Sequence, residues 1–166
     1  MTAFRPARSR RGFSLVEILV VVSVIGIMAA ISIPAYQGVM RSTWNTESED
    51  FVESLNRAVR SFGQGNWDLP VIPDNAATTD EYAALRSLQY KWPASNLRPG
   101  SPYFTPRYNP QASNSSSEYR LRWNGRTFEV LRPGTADSGL LKTFAGADYT
   151  GADYTFPTGY KPAGSR

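Results

Sequence analysis

The sequence predicts an α+β fold in which one long N-terminal helix, apolar in its first half and amphipathic in its second, packs on a small antiparallel β-sheet. Three observations predict it. The run from Ile18 to Ile33 holds no charged residue. Beyond Tyr36, the apolar residues Trp44, Phe51, Val52, Leu55, Val59 and Phe62 recur at helical spacing, with Glu47, Glu49, Asp50, Glu53, Arg57 and Arg60 on the other faces. Further on, Asn124-Gly125 splits the alternating stretch Glu118 to Leu131, as a hairpin turn would.

As a helix, Phe13 to Tyr36 spans roughly 36 Å at about 1.5 Å per residue, enough to cross a hydrocarbon core of about 30 Å. Glu17 is its one charge, and a carboxylate carried to mid-bilayer costs about 2.5–3.5 kcal/mol. It therefore needs a partner, unless it snorkels to the headgroups. Arg5, Arg8, Arg10 and Arg11 precede Gly12 unopposed and orient the segment with its N-terminus cytoplasmic. Of 18 basic side chains these are four, and the remaining 14 equal the 14 acidic ones. The net charge of +4 thus belongs to a targeting segment and is no argument for a nucleic-acid partner. The chain has no cysteine and no histidine, which excludes disulfides, thiol nucleophiles, imidazole bases and the usual zinc ligands.

The stretch Arg10-Arg11-Gly12-Phe13-Ser14-Leu15-Val16-Glu17, with its basic leader and apolar tail, resembles the class III signal of type IV pilins and type II secretion pseudopilins. The resemblance covers residues 8 to 40 and implies a pilin-like fold. It also implies that a prepilin peptidase cuts after Gly12 and methylates the amine of Phe13. Residues 1–12 are then a leader, 13–36 a transmembrane and filament-core helix, 37–63 its amphipathic continuation, and 64–166 a periplasmic head. On this reading the chain is a structural subunit of a type II secretion or type IV pilus-like filament, without a cofactor. It sits as a single-pass protein in the bacterial inner membrane and moves to an extracytoplasmic filament after assembly. Its partners are the peptidase, other pilin or pseudopilin subunits, an inner-membrane assembly platform and, before assembly, lipid; nucleic acid is not expected. Glu17 would act in assembly by pairing with the Phe13 amine of its own chain or a neighbour's. Gly26 and Pro34 have two readings. They are a small packing residue and a kink of the kind common in membrane helices, or, as the family implies, they bound a stretch that melts when the subunit leaves the bilayer. An uncleaved anchor would explain the apolar run, but not the Gly-Phe junction and the acid at the run's own start.

Gly63 and Gly65 are expected to stop the helix after Phe62. Residues 63–80 read as a loop, and Thr78 with Glu81 forms a capping box opening a short helix that ends near Tyr90, ahead of Pro93. Ser95 to Ser117 reads as a loop with Pro99, Pro102, Pro106 and Pro110, most mobile over Ser113–Ser117. With Asn124-Gly125 as a two-residue type I′ tip, Trp123 lies opposite Arg126, Leu121 opposite Phe128 and Tyr119 opposite Val130 on an apolar face. Arg122 meets Thr127 and Arg120 meets Glu129 on the other face, and Arg126 lies over the Trp123 indole. The apolar face needs the stripe of Phe51, Leu55, Val59 and Phe62 as its partner. Leu140–Phe144 and Tyr154–Phe156 read as further short strands.

Asp148 and Asp153 fall in tandem Gly-Ala-Asp-Tyr-Thr repeats. They are weak calcium candidates of the sort acidic C-terminal loops supply in some major pseudopilins. The Asp-Pro-Trp-Gly type signature is absent, however, and calcium wants about six to eight oxygens, so turn residues fit better. Two rival classes remain. One is a membrane-anchored periplasmic enzyme using two carboxylates among Asp68, Asp74, Asp80 and Glu81. The other is an adhesive or DNA-binding tip pilin using Arg98, Arg107, Tyr103, Phe104 and Tyr108, although aromatics in such loops otherwise pack down as lids.

Overall fold

The computed structural model describes residues 12–66, 71–72, 77, 79–90 and 102–149. The chain divides into two compact units, Met1–Ser42 and Thr43–Arg166. Helix α1, Leu15–Gly65, runs through the boundary. In the second unit it is followed by α2, Glu81–Gln89, and by strands β1, Ala112–Ser113; β2, Arg120–Trp123; β3, Phe128–Leu131; and β4, Gly139–Leu141. The strands form one antiparallel sheet in the order β1-β4-β2-β3, so the fold is α+β and pilin-like as expected.

Leu55 and Phe62, two turns apart on α1, are buried in one cluster with Leu121, Trp123, Phe128 and Leu140 of the sheet. Phe51 and Val59 pack against its margin. Each fully buried side chain of this kind is worth about 1.5–3 kcal/mol, so the stripe is the main link between helix and sheet. Gly63 does not stop α1, which continues to Gly65; Asn66 then ends it, its backbone N–H and its side-chain Nδ2 both donating to Phe62 O (3.0 and 2.8 Å). A glycine lowers helix propensity by only about 1 kcal/mol, less than the buried Phe62 anchoring that turn contributes.

The N-cap of α2 is Asp80, whose side chain accepts from Ala83 N at 2.9 Å, and not Thr78; Thr78 itself lies outside the described residues. Aspartate caps as well as threonine does or better, and Asp80 adjoins the first helical turn. The proline-rich loop is a wrap over α2: Tyr103 N and Phe104 N donate to Leu88 O, and Gln89 Nε2 donates to Thr105 O and Tyr108 O. Within the stretch Ser113–Ser117, expected to be the loop's most mobile part, Ser113 pairs with β4 and polar groups are engaged in hydrogen bonds. Ser113 Oγ donates to the Glu118 carboxylate, Ser115 N donates to Ser113 Oγ at 3.1 Å, and Ser116 O accepts from Gly134 N at 2.7 Å.

The hairpin keeps its faces and changes its register. Trp123 lies opposite Phe128, Arg122 opposite Glu129, Leu121 opposite Val130 and Arg120 opposite Leu131. A slip of two residues preserves which side each residue faces, so the apolar face survives with new partners. The cause is Asn124. Its Oδ1 accepts from the backbone N–H of Arg126 (3.0 Å) and Thr127 (2.9 Å), while its own N–H donates to Thr127 O (3.1 Å), so Asn124 to Thr127 all belong to the loop. Gly125 has the positive φ, 92°, that the turn requires. Trp123 therefore meets the Phe128 ring at 4.9 Å where Arg126 was expected, and Glu129 pairs with Arg122 at 3.1 Å instead of Arg120. Arg120, on the nominally polar face, is fully buried and donates to the carbonyls of Thr135, Asp137 and Glu118. At Gly139 a Cβ would stand 2.6 Å from Leu121 O, so β4 closes on β2 only with glycine there.

Asn56 on α1 clamps the start of the outer edge of β3: Phe128 N donates to its Oδ1 at 2.8 Å, and its Nδ2 donates to Phe128 O at 2.9 Å. Asn56→Leu is expected to strand both peptide groups and destabilise the second unit by about 1–3 kcal/mol, read as a lower thermal midpoint of the full chain in detergent. An unchanged midpoint would show that the clamp adds nothing to stability.

Candidate functional site

The first unit begins with a helix start defined by Ser14. Glu17 N donates to Ser14 Oγ at 3.1 Å and Ile18 N to Ser14 O at 3.2 Å, and α1 starts at Leu15. Ser14-x-x-Glu17 has capping-box spacing, a signal the sequence reading passed over. Glu17 lies in the first turn, where the helix dipole favours an anion. Its side chain is exposed, and so is Phe13, at 78%. Around this start the surface is apolar: Leu15, Val16, Ile18, Leu19, Val20 and Val22 are each half or more exposed, and the pattern continues to Val39. The helix is long and apolar enough to cross a membrane. A Cβ built at Gly12, Gly26 or Gly38 meets nothing within 4 Å among the described residues. Nothing in the chain's described packing therefore asks for glycine at these positions. Pro34 lies inside α1, which continues through it.

In the second unit several polar side chains are buried. Lys142 is buried, with Nζ donating to Thr143 O at 2.6 Å, 3.4 Å from Glu47 Oε1, and 5.0 Å from the ring centroids of both Phe51 and Phe144. Phe144 stacks on Trp44 at 5.4 Å. Asp148 accepts from Thr143 N (3.1 Å) and Thr143 Oγ1 (2.6 Å), so both of its oxygens are committed to its own loop. Next to it, burial first and the Asp148 charge second push the Tyr108 hydroxyl well above the usual tyrosine range.

Residues 7–33 match the family model of the prokaryotic N-terminal methylation motif. The chain is 32% identical over 91 residues to a type IV major alpha-pilin of Moraxella bovis, which covers 54% of this chain and 56% of that protein. It is 41% identical over 54 residues to a fimbrial protein of Pseudomonas aeruginosa, 32% of this chain and 35% of that one. By this segment the chain is similar to type IV pilins and fimbrial proteins. A type IV major pilin protein, PilE1, of Neisseria gonorrhoeae is 32% identical over 60 residues, 35% of this chain and 36% of that one. The chain thus spans between about a third and just over half of the length of these relatives. No solved structure matches it.

The structure brings Gly12, Phe13 and Glu17 together at one exposed helix start; Gly26 and Pro34 lie further along α1. Asp148 is far from these in sequence, and Asp153 lies outside the described residues, as do the leader arginines, Asp68, Asp74, Arg98 and Tyr154–Phe156. Asp80 is occupied as a helix cap, and Tyr103, Phe104 and Tyr108 pack on Phe62 and Phe51 as lids. Lys142, Arg120 and Asn56 were missed because long-range pairing leaves no local pattern.

A neutral Tyr108 is favoured by the fold, so the folded state holds this proton more tightly than the unfolded chain. Its contribution is full below the ordinary tyrosine value of about 10 and is lost as the pH rises beyond it. The thermal midpoint of the full chain should therefore fall above about pH 10. Tyr108→Phe should flatten that limb while lowering stability at neutral pH through loss of the bond to Leu141 O (3.2 Å). Parallel alkaline limbs for the two proteins would assign the effect elsewhere.

Proposed function

We propose that the chain is the precursor of a filament subunit, cut after Gly12 by a prepilin peptidase, methylated on Phe13, and assembled through the apolar half of α1. The carrying observation is the methylation motif over residues 7–33, which from Leu15 onward lies on a helix whose large apolar side chains are exposed as far as Val39. Gly12 supports the cleavage reading, since the chain's described packing leaves open space for a Cβ there, whereas a protease subsite discriminates by side-chain size. The names of the relatives, pilins and fimbrial proteins, favour a pilus filament over a secretion pseudopilus. Before assembly the 13–36 segment lies in the inner membrane with the leader cytoplasmic and residues 64–166 periplasmic. Partners on this reading are the peptidase, an assembly platform and other subunits.

Glu17 supplies the register. Cleavage creates a cation at Phe13 one helical turn away, and in staggered parallel helices the amine of an incoming subunit reaches the Glu17 of its neighbour. Breaking a buried ion pair costs on the order of 3–5 kcal/mol, so the stagger that joins the two charges is preferred over those that orphan them. Gly26 and Pro34 sit where a helix leaving lipid for a filament would be easiest to unwind.

Mass spectrometry of the mature protein should find Phe13 at its terminus, and Met1 or Ser14 there would refute the processing step. Gly12→Ala should slow cleavage less than a bulky substitution does. Glu17→Leu should insert and be cleaved normally, yet join filaments poorly. Its incorporation at wild-type levels would reduce Glu17 to a passive interfacial residue.

A further inference from the structure

Asn124-Gly125 is needed for the turn, and the same dipeptide is chemically reactive. The backbone nitrogen following an asparagine attacks that residue's side-chain carbonyl carbon, and glycine, without a Cβ, obstructs the attack least. Both residues are exposed here. The Arg126 and Thr127 N–H groups point at Asn124 Oδ1 from 3.0 and 2.9 Å. That is the oxygen on which negative charge develops during the attack, and paired backbone donors stabilise such an oxyanion. The leaving nitrogen, Nδ2, donates to Thr127 Oγ1 at 3.1 Å and to the Glu129 carboxylate. Electrophile, oxyanion donors and a proton acceptor are thus assembled around one side chain.

We propose that Asn124 is a site of self-catalysed deamidation, promoted by the fold of its own loop. Gly125 N bonds to Asn124 Cγ and the Cγ–Nδ2 bond breaks. The proton of the Gly125 amide passes by way of solvent water to the Glu129 carboxylate, which already accepts from Nδ2, and on to Nδ2, which leaves as ammonia. The resulting five-membered succinimide takes up one water at either of its carbonyl carbons and opens to aspartate or isoaspartate. One water is consumed and one ammonia released, with no oxidant or reductant.

The product changes the tip and spares the core. Hydrogen bonding from Asn124, and then Arg122, holds the Glu129 carboxyl below the usual range. Deamidation replaces that donor with a second carboxylate beside Glu129, and isoaspartate adds a methylene to the loop backbone. Trp123 and Phe128 stay buried behind it, with Phe128 clamped by Asn56. The head surface acquires a negative charge that marks the age of the chain.

The test is to incubate the purified full chain at mildly alkaline pH and follow the amide-to-acid mass change at Asn124 together with enzymatic methylation of isoaspartate. The same chain in denaturant and the Glu129→Gln variant run alongside. The folded wild type should convert faster than the denatured chain, and Glu129→Gln should slow only the folded protein, by at least about tenfold. Folded chain reacting more slowly than denatured chain would mean that the hydrogen bonds lock Asn124 and would overturn the proposal, whether or not the variant folds. Equal folded rates for wild type and Glu129→Gln would overturn it as well.

Discussion

One helix has to satisfy two environments, and the rest of the chain follows from how its sequence divides that duty. Over Ile18–Ile33 α1 is apolar on every face, which suits a surrounding that is apolar on every side. Over Trp44–Phe62 the apolar residues narrow to a stripe, and only one side can then be covered by the second unit. Leu55 and Phe62 are fully or almost fully buried on that stripe, and the hairpin, α2 and the proline-rich wrap all close on the cluster they belong to. Neither half could exchange places with the other. The first would expose a hydrophobic cylinder to water, and the second would carry Glu47, Glu49, Asp50 and Glu53 into lipid, where each charge is costly.

Patterns that depend on neighbours in sequence were readable, and patterns that depend on distant groups were not. The long helix, the hairpin faces and the packing of stripe against sheet follow from periodicity, which survives small errors of register. The register itself did not follow, because it rests on where one side-chain oxygen, Asn124 Oδ1, finds its donors. The strand Ala112–Ser113 is too short to display an alternation and exists because it borrows β4 as a partner, whereas β4 itself, expected at Leu140–Phe144, forms at Gly139–Leu141. The capping error is of the same kind, since threonine and aspartate are both good cap types and the contact of Asp80 with Ala83 N is what identifies the cap. At the candidate site the N-terminal motif was legible because its chemistry is written in consecutive residues. Even there Ser14 was passed over, although its spacing from Glu17 was in plain view.

The second unit also shows how a small protein without disulfides keeps cations inside. Arg120 satisfies its guanidinium with three backbone carbonyls, which carry no net charge to be desolvated. Lys142 uses one carbonyl, two aromatic faces and a half-exposed carboxylate. Arg86 uses the side chains of Gln89 and Asn109, together with Tyr108 O. In each case an element fixed by packing presents acceptors to an otherwise costly charge, so the loops after β3 and β4 are held by hydrogen bonds where a larger core would use apolar area.

The clamp of Asn56 on Phe128 has a bearing on crowding. A sheet whose last strand shows free peptide groups invites the matching strand of any neighbour, and the hazard grows with the number of identical sheets brought close together. Here the outward peptide of Phe128 is already answered by a side chain of a helix, which cannot itself be extended by another strand. The opposite edge is only Ala112–Ser113, with Pro110 just before it. Of the outward-facing peptide groups of β3, those of Phe128 are thus closed to backbone pairing with another strand.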